Sequence, residues 1–246
     1  MSDILIIGAS SGIATALIQQ LLDQQSSQQP SQKQSLVAIS RTPVRYADNH
    51  AGASIESHQC DYSDGDIKRV AAKLTQRTFS RVYICNGILH HGEMKPEKRL
   101  EDLAPERFAE VMQANAIIPL LWLKHLKPVL KGKQPCVVTL FSARVGSITD
   151  NQLGGWYAYR ASKAALNMMV KNAAIEYGRI AKQTRFLLFH PGTTDTKLSK
   201  PFQKSVPEGK LFTPEFVAER LLSISIDLGY EPGVDYLDWD GQPIAW

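Results

Sequence analysis

The chain has 246 residues, 43% hydrophobic and 21% charged, enough apolar material for a large core and too much for wholesale disorder. Its net charge of +4 comes from scattered basic residues, so neither nucleic acid nor an anionic membrane is expected as a partner. No apolar run reaches the roughly 18 to 20 residues of a membrane span, and the first residues lack the basic-then-apolar order of a signal peptide. The spacing then predicts a buried strand over 4–7 and a helix over 11–23. A Gln/Ser-rich stretch over 24–35 reads as a surface connection before a second buried strand over 36–39. A weaker strand over 54–59 precedes an amphipathic helix over 64–77 and a strand over 81–85. An irregular stretch to Ala104 leads to a long helix over 105–127, with Pro105 in its first turn.

The alternation goes on to the end of the chain. A strand over 136–141, a helix over 155–179 and a strand over 185–189 come next. Thr213-Pro214-Glu215 carries N-cap and N1 chemistry for another helix, and 234–237 closes the series as a strand. Strands apolar on both faces, alternating with helices, predict a doubly wound parallel sheet of about seven strands in one domain over 1–246. Cys60, Cys85 and Cys136 have no paired spacing and read as free thiols of a reducing, cytoplasmic compartment.

Two motifs carry chemistry. The first strand runs into Gly8-Ala9-Ser10-Ser11-Gly12-Ile13-Ala14 and then a helix. A glycine-bearing strand-to-helix turn lets backbone approach a pyrophosphate, which the helix N-terminus stabilises; a tight turn with no ligand is the ordinary alternative. The second is Tyr159-Arg160-Ala161-Ser162-Lys163, where i and i+4 share a helix face. A lysine about 4–5 Å from a phenolate gains roughly 3–4 kcal/mol at an effective dielectric near 20, about two to three pKa units. Tyrosine would then exchange a proton near neutral pH. Such a pair also arises by chance, although of the eight tyrosines only Tyr159 has lysine at that offset.

Taken together, these residues resemble the short-chain dehydrogenases/reductases, in their compact single-domain branch. The likeness covers most of the chain. Gly8-Ala9-Ser10-Ser11-Gly12-Ile13 looks like the family's glycine motif, with Ala14 where its last glycine usually falls. Cys85-Asn86-Gly87 resembles its Asn-Ala-Gly stretch, Asn115 its mid-helix asparagine, and His190-Pro191-Gly192 the segment after its sixth strand. Ser142 through Ser147, followed by Gly154-Gly155-Trp156-Tyr157, looks closest to the C-factor-like and sniffer-like carbonyl reductases. The resemblance implies an oxidoreductase acting on an aldehyde, a ketone or the corresponding alcohol. Tyr159 would be the proton donor, Ser142 a hydrogen-bond donor to the carbonyl oxygen, Lys163 a partner of tyrosine and nicotinamide ribose, and Asn115 the holder of a proton-feeding water chain. The family's Ser-x-x-Gly is one residue longer here, so Ser147 stands as a rival to Ser142.

Ser10, Ser11, Gly12, Ile13, Asn86, Gly87, Pro191 and Gly192 are the other residues implied for the dinucleotide. Asp61 resembles the residue that meets adenine, and Thr194 one that holds the nicotinamide amide. After the second strand comes Arg41 with no acid before Asp48, which favours NADP(H) over NAD(H) because a guanidinium pairs with a 2′-phosphate. A solvated loop cation is the alternative, and Arg45 and Lys33 are the next candidates. The 193–212 stretch reads as a substrate lid, with Leu198, Phe202, Val206 and Leu211 favouring a hydrophobic carbonyl compound. No metal site is expected, and His90-His91 reads as part of a mobile loop. Lys124, Lys127, Lys131 and Lys133 read as a solvated face. The last twenty residues, with five acids and Tyr230, Tyr236, Trp239 and Trp246, read as surface and sheet-edge packing. A homodimer or homotetramer is implied, its contacts through the helices of Asn115 and Tyr159. The resemblance also raises a C-factor-like signalling or dinucleotide-sensing protein on the same fold, to which an intact Ser142, Tyr159 and Lys163 is the counter-argument. An epimerase or dehydratase of the longer branch would need a larger C-terminal region.

Overall fold

The computed structural model describes residues 2–26, 34–44, 55–132 and 134–246. Lys33, Arg45, Ser54, Lys133 and most of the 24–35 connection therefore lie outside the described residues.

Apolar β-branched and aromatic residues build a seven-stranded sheet. Its strands are β1 (Asp3–Ile7), β2 (Leu36–Ser40), β3 (Ile55–Gln59), β4 (Phe79–Ile84), β5 (Cys136–Phe141), β6 (Thr184–His190) and, last in the chain, β9 (Gly233–Asp238). A two-stranded pair of β7 (Thr193–Thr194) and β8 (Leu211–Phe212) stands apart from it. The order β3-β2-β1-β4-β5-β6-β9 is parallel throughout, so the direction of winding reverses between β1 and β4. The helices are α1 (Gly12–Ser26), α2 (Asp64–Lys73), α3 (Pro105–Met112), α4 (Ile118–Leu130), α5 (Tyr157–Ile180) and α6 (Pro214–Asp227).

Alternate strand residues feed two cores, as the period-2 geometry of a strand requires. Leu5, Ile7, Val82, Val138 and Phe186 pack under α2, α4 and α5 through Ile67, Trp122, Leu126 and Val170. Ile4, Ile6, Tyr83, Leu187 and Phe189 face the other way, onto α1 and α6 through Leu17, Leu21, Val217 and Leu221. All six residues of β5 are buried, whereas the edge strand β3 has none fully buried.

The elements differ from the sequence reading at their ends, where tertiary contacts decide. Helix α1 continues to Ser26, into the stretch read as a connection. Helix α2 starts on the Ser63 cap, which accepts from Asp66 N, and stops at Lys73, with turns through Leu74 and Arg77 after it. The Arg77 side chain ties β1 to β3 instead, pairing with Asp3 at 2.7 Å and with Glu56. The long 105–127 helix extends to Leu130 and is interrupted by a π turn at Gln113–Ile117. Such turns insert a residue and re-aim their neighbours, frequently at functional sites. The β7–β8 pair, which no periodicity announced, joins the two ends of the 193–212 segment through Thr193–Leu211 and Thr194–Phe212.

Phe186 on β6 is fully buried and its ring meets Tyr177 of α5 at 5.3 Å between centroids. Phe186→Ala should lower the unfolding free energy by about 3–5 kcal/mol in urea titrations, the usual loss for a truncated core aromatic. A loss below about 1 kcal/mol would contradict the packing of α5 on the sheet.

Candidate functional site

A cleft of about 910 Å³ opens over the carboxyl ends of the strands, at the reversal between β1 and β4. Sheets of this kind bind ligands there. Its floor is the glycine turn. Gly8 has φ +79°, and a Cβ on it would lie 3.0 Å from the Cys85 carbonyl carbon, so only glycine lets the end of β1 press against the end of β4. Ser10, Ser11, Gly12 and Ile13 line the cleft as α1 begins. The first-turn N–H groups of a helix have no acceptor within it and suit an anion. Asn86 and Gly87 follow β4 into the same wall, and the Asn86 Oδ1 is buried without a partner. An open cleft, a helix N-terminus capped only by a long bond from Ala14 N to Ser11 Oγ, at 3.4 Å, and an orphaned amide oxygen fit a dinucleotide.

Tyr159 and Lys163 rise from the first turns of α5 into this cleft, with the lysine nitrogen 5.7 Å from the phenol ring centre. The ammonium donates to the Phe141 carbonyl at 2.8 Å, and burial holds its pKa down to about 8. Burial also pushes the Tyr159 phenol above its ordinary range, and the Tyr236 phenol adds to the rise. This corrects the sequence argument. Lys163 faces a carbonyl, and burial sets the direction of the Tyr159 shift.

Gly146 explains how the loop after β5 reaches α5. A Cβ there would fall 2.8 Å from the Lys163 Cβ and 2.9 Å from its carbonyl carbon, so the loop lies directly on the lysine backbone. Ser142 is thereby set in the cleft wall, its hydroxyl donating to Asn167 Oδ1 at 2.6 Å. Ser147 is buried outside that wall and accepts from Asp150 N. Asn115 sits in the π turn, wholly buried behind the cleft. Its amide accepts from Ile88 N at 2.7 Å and donates to Ile88 O and Ser162 Oγ.

Pro191, Gly192 and Thr194 also line the cleft. Arg41 and Asp61 do not; they stand beyond its rim, after β2 and β3. Arg41 is exposed and has no ion pair among the described residues, and Asp61 caps the following turn by accepting from Ser63 N at 2.8 Å. His90, read as part of a mobile loop, is tied to the lid segment: Nε2 lies 3.1 Å from the Lys197 and Leu198 carbonyls. His91 pairs with Glu110. Lys124 is exposed and Lys127 half-buried, and both are paired, with Asp64 and Glu176. Among the described residues no group of three or more His, Cys, Asp or Glu is placed to hold a metal ion.

Sequence reasoning missed several wall residues. Trp156 caps α5 in the left-handed conformation, φ +51°, after Gly154 and Gly155 in the same region. A non-glycine residue there costs on the order of 1 kcal/mol. Glu97 holds it: its carbonyl accepts from Trp156 N and its carboxylate from Ala158 N at 3.2 Å. Trp156 packs on Phe202 at 5.0 Å and on Tyr159 at 6.2 Å between ring centres. Thr196 brings its methyl group up to Gly12, and a Cβ on that glycine would lie 3.1 Å from it. The C-terminal aromatics belong to the site as well. Trp239 lines the cleft, and the Tyr236 hydroxyl donates to Ala143 O at 2.6 Å, beside Ser142. His190 lines it too; burial first, then the Arg144 charge, push its pKa down to about 4, and its Nδ1 has no partner. The Gly154-Gly155 pair before Tyr157 was the one sequence signal that could have pointed to Trp156.

The reversal of winding, the glycine turn beneath it and the Tyr159–Lys163 pair above it define an oxidoreductase of the doubly wound dinucleotide-binding class. Residues 8–223 match the family model described as Enoyl-(Acyl carrier protein) reductase, and the chain belongs to this short-chain dehydrogenase/reductase family. It is 28% identical to the 1-hydroxy-2-glutathionyl-2-methyl-3-butene dehydrogenase of Rhodococcus sp. (strain AD45), covering 100% of both chains. It is 30% identical to the C-signal protein of Myxococcus xanthus over 60% of this chain and 83% of that one. The carbonyl reductase Sniffer of D. melanogaster shares the fold at a TM-score of 0.81 and 23% identity, covering 100% of both chains. A short-chain dehydrogenase/reductase from Burkholderia multivorans with bound NADP does so at 0.77 and 21%, covering 100% of this chain and 99% of that one.

The buried lysine makes a pH prediction. Its folded pKa is about 8 against an ordinary 10.5, so between those values the unfolded state binds more protons and stability rises with pH. Below that window the full penalty of burying the ammonium is present. Lys163→Met should therefore be more stable than wild type near pH 7 by on the order of 1–3 kcal/mol, with the margin shrinking toward pH 10. Urea unfolding of both proteins at the two pH values checks this; a margin independent of pH would contradict burial of the charge.

Proposed function

We propose that this chain is an NADP(H)-dependent reductase of aldehydes or ketones, able to run the reverse reaction on alcohols. The observation that carries the reading is Tyr159: a phenol kept protonated by burial, in the cleft whose floor is the glycine turn. The bound dinucleotide supplies the hydride to the carbonyl carbon. Tyr159 donates its proton to the carbonyl oxygen as charge develops there. Ser142 turns its hydroxyl from Asn167 to that oxygen, as an oxyanion donor. Lys163 keeps a positive charge behind Tyr159 and reaches the nicotinamide ribose. The Asn115 side chain spends both amide donors on Ile88 O and Ser162 Oγ and accepts from Ile88 N, so it positions the wall beside Gly87 and Lys163, and the second lone pair of its oxygen serves the water chain.

Ser10 to Ile13 receive the pyrophosphate, and Asn86, Gly87, Pro191, Gly192 and Thr194 hold the ribose and nicotinamide. Asp61 meets adenine at the rim. Arg41, exposed and unpaired among the described residues, selects NADP(H) over NAD(H) by its charge on the 2′-phosphate. The NADP held by the Burkholderia relative supports this choice. The 193–212 segment is the substrate lid, and exposed Met168 and Ile175 on α5 support a homodimer or homotetramer through that helix. The likeness to C-signal favours a second reading, a signalling protein on the same fold. Retention of Ser142, Tyr159 and Lys163 in one cleft supports turnover.

Tyr159→Phe should abolish NADPH oxidation on any carbonyl the wild type reduces while leaving NADPH affinity within a few-fold, since the phenol acts in the transition state. Retention of more than about 1% of the rate would assign the proton to another group. Arg41→Ala should weaken NADPH binding by roughly ten- to 150-fold and leave NADH nearly unchanged. Fluorescence titrations with the two cofactors measure this, and an unchanged NADPH preference would remove Arg41 from the site.

A further inference from the structure

Among the described residues the wall of the cleft is of one sign. Arg144, Lys163, Lys197, Lys204 and Lys210 line it, and no aspartate or glutamate does. Two of these cations are already committed. Arg144 lies between Asp150 at 2.9 Å and Asp238 at 3.0 Å, and Lys163 is held by the Phe141 carbonyl. Lys197 follows Thr196, whose methyl group reaches Gly12, at the turn assigned to the dinucleotide phosphates. Lys204 and Lys210 remain. Neither has an ion pair among the described residues, and both are exposed in the cleft wall, on the 193–212 segment. Lys204 lies two residues beyond Phe202, the ring that packs on Trp156. Lys210 lies 5.4 Å above the Trp239 ring. The acids of the lid do not neutralise them, since Asp195 takes Lys200 and Gln203 and the exposed Glu208 is outside the cleft wall.

A neutral carbonyl compound has no use for two unpaired ammonium groups on the segment that lines its cleft, whereas an anionic one does. We propose that the substrate carries a carboxylate remote from the reacting carbonyl, received by Lys204 and Lys210 while its apolar body lies on Trp156 and Phe202. This rests on the carbonyl-reductase reading and names the class of substrate within it. Both lysines sit on the 193–212 segment, whose two ends the β7–β8 pairing holds together.

The test compares 4-benzoylbutyrate with its methyl ester, binding each to the protein–NADPH complex in a phosphate-free buffer and following NADPH fluorescence and oxidation. Two partly exposed ion pairs are together worth roughly three- to thirty-fold in affinity. The acid should bind tighter than the ester by such a factor, with a margin that shrinks as salt rises. In Lys204→Gln/Lys210→Gln the ratio should fall toward one. Equal affinities in the wild type, or a margin unmoved by the double substitution, would overturn the proposal. An intact acid margin with no NADPH oxidation from either compound would contradict the reductase reading and leave the anion site standing.

Discussion

The ammonium of Lys163 is taken out of water and faces the carbonyl that ends β5. Nearly every other feature of the site follows from making that possible. An unpaired charge cannot be buried without hydrogen-bond acceptors close by. The Phe141 carbonyl supplies one, and it is available because the loop after β5 turns away over Gly146 and lies on the lysine backbone. The same turn sets Ser142 in the cleft wall. The Tyr236 hydroxyl then ties β9 to that loop at Ala143, so the last strand of the sheet buttresses the reacting centre.

Burial also decides which way the chemistry is poised. A phenol raised above its usual range is protonated at neutral pH and can give a proton to a carbonyl oxygen. Taking a proton from an alcohol calls for the phenolate, so alcohol oxidation should require more alkaline conditions. His190, held neutral by burial and by the Arg144 charge, adds an uncharged polar group to the wall. The cations of the cleft thus divide into one that serves the reaction, one neutralised by acids, and lid lysines open to a ligand.

Much of this was legible in the sequence because it is local. The Gly8 turn, the Tyr159–Lys163 spacing and the Thr213-Pro214 helix start are written within five residues, and the parallel sheet follows from strands apolar on both faces. What could not be read depends on contacts between distant segments. Trp156 holds its left-handed conformation through Glu97, some sixty residues earlier. The aromatic tail reads as surface until β9 is seen beside β6, which carries Trp239 into the cleft. The effect of Lys163 on Tyr159 was misjudged because spacing gives proximity along a helix and says nothing of the dielectric around it.

Hydride delivery to a carbonyl beside Tyr159 is the step on which the chemistry of this cleft depends. Reduction of an aryl ketone with NADPH carrying deuterium at C4 of the nicotinamide tests it directly, read by mass spectrometry and NMR of the alcohol. Deuterium is expected at the carbinol carbon from one of the two C4-labelled isomers only, with no labelled product from Tyr159→Phe. Product without label, or equal transfer in the Tyr159→Phe protein, would contradict it.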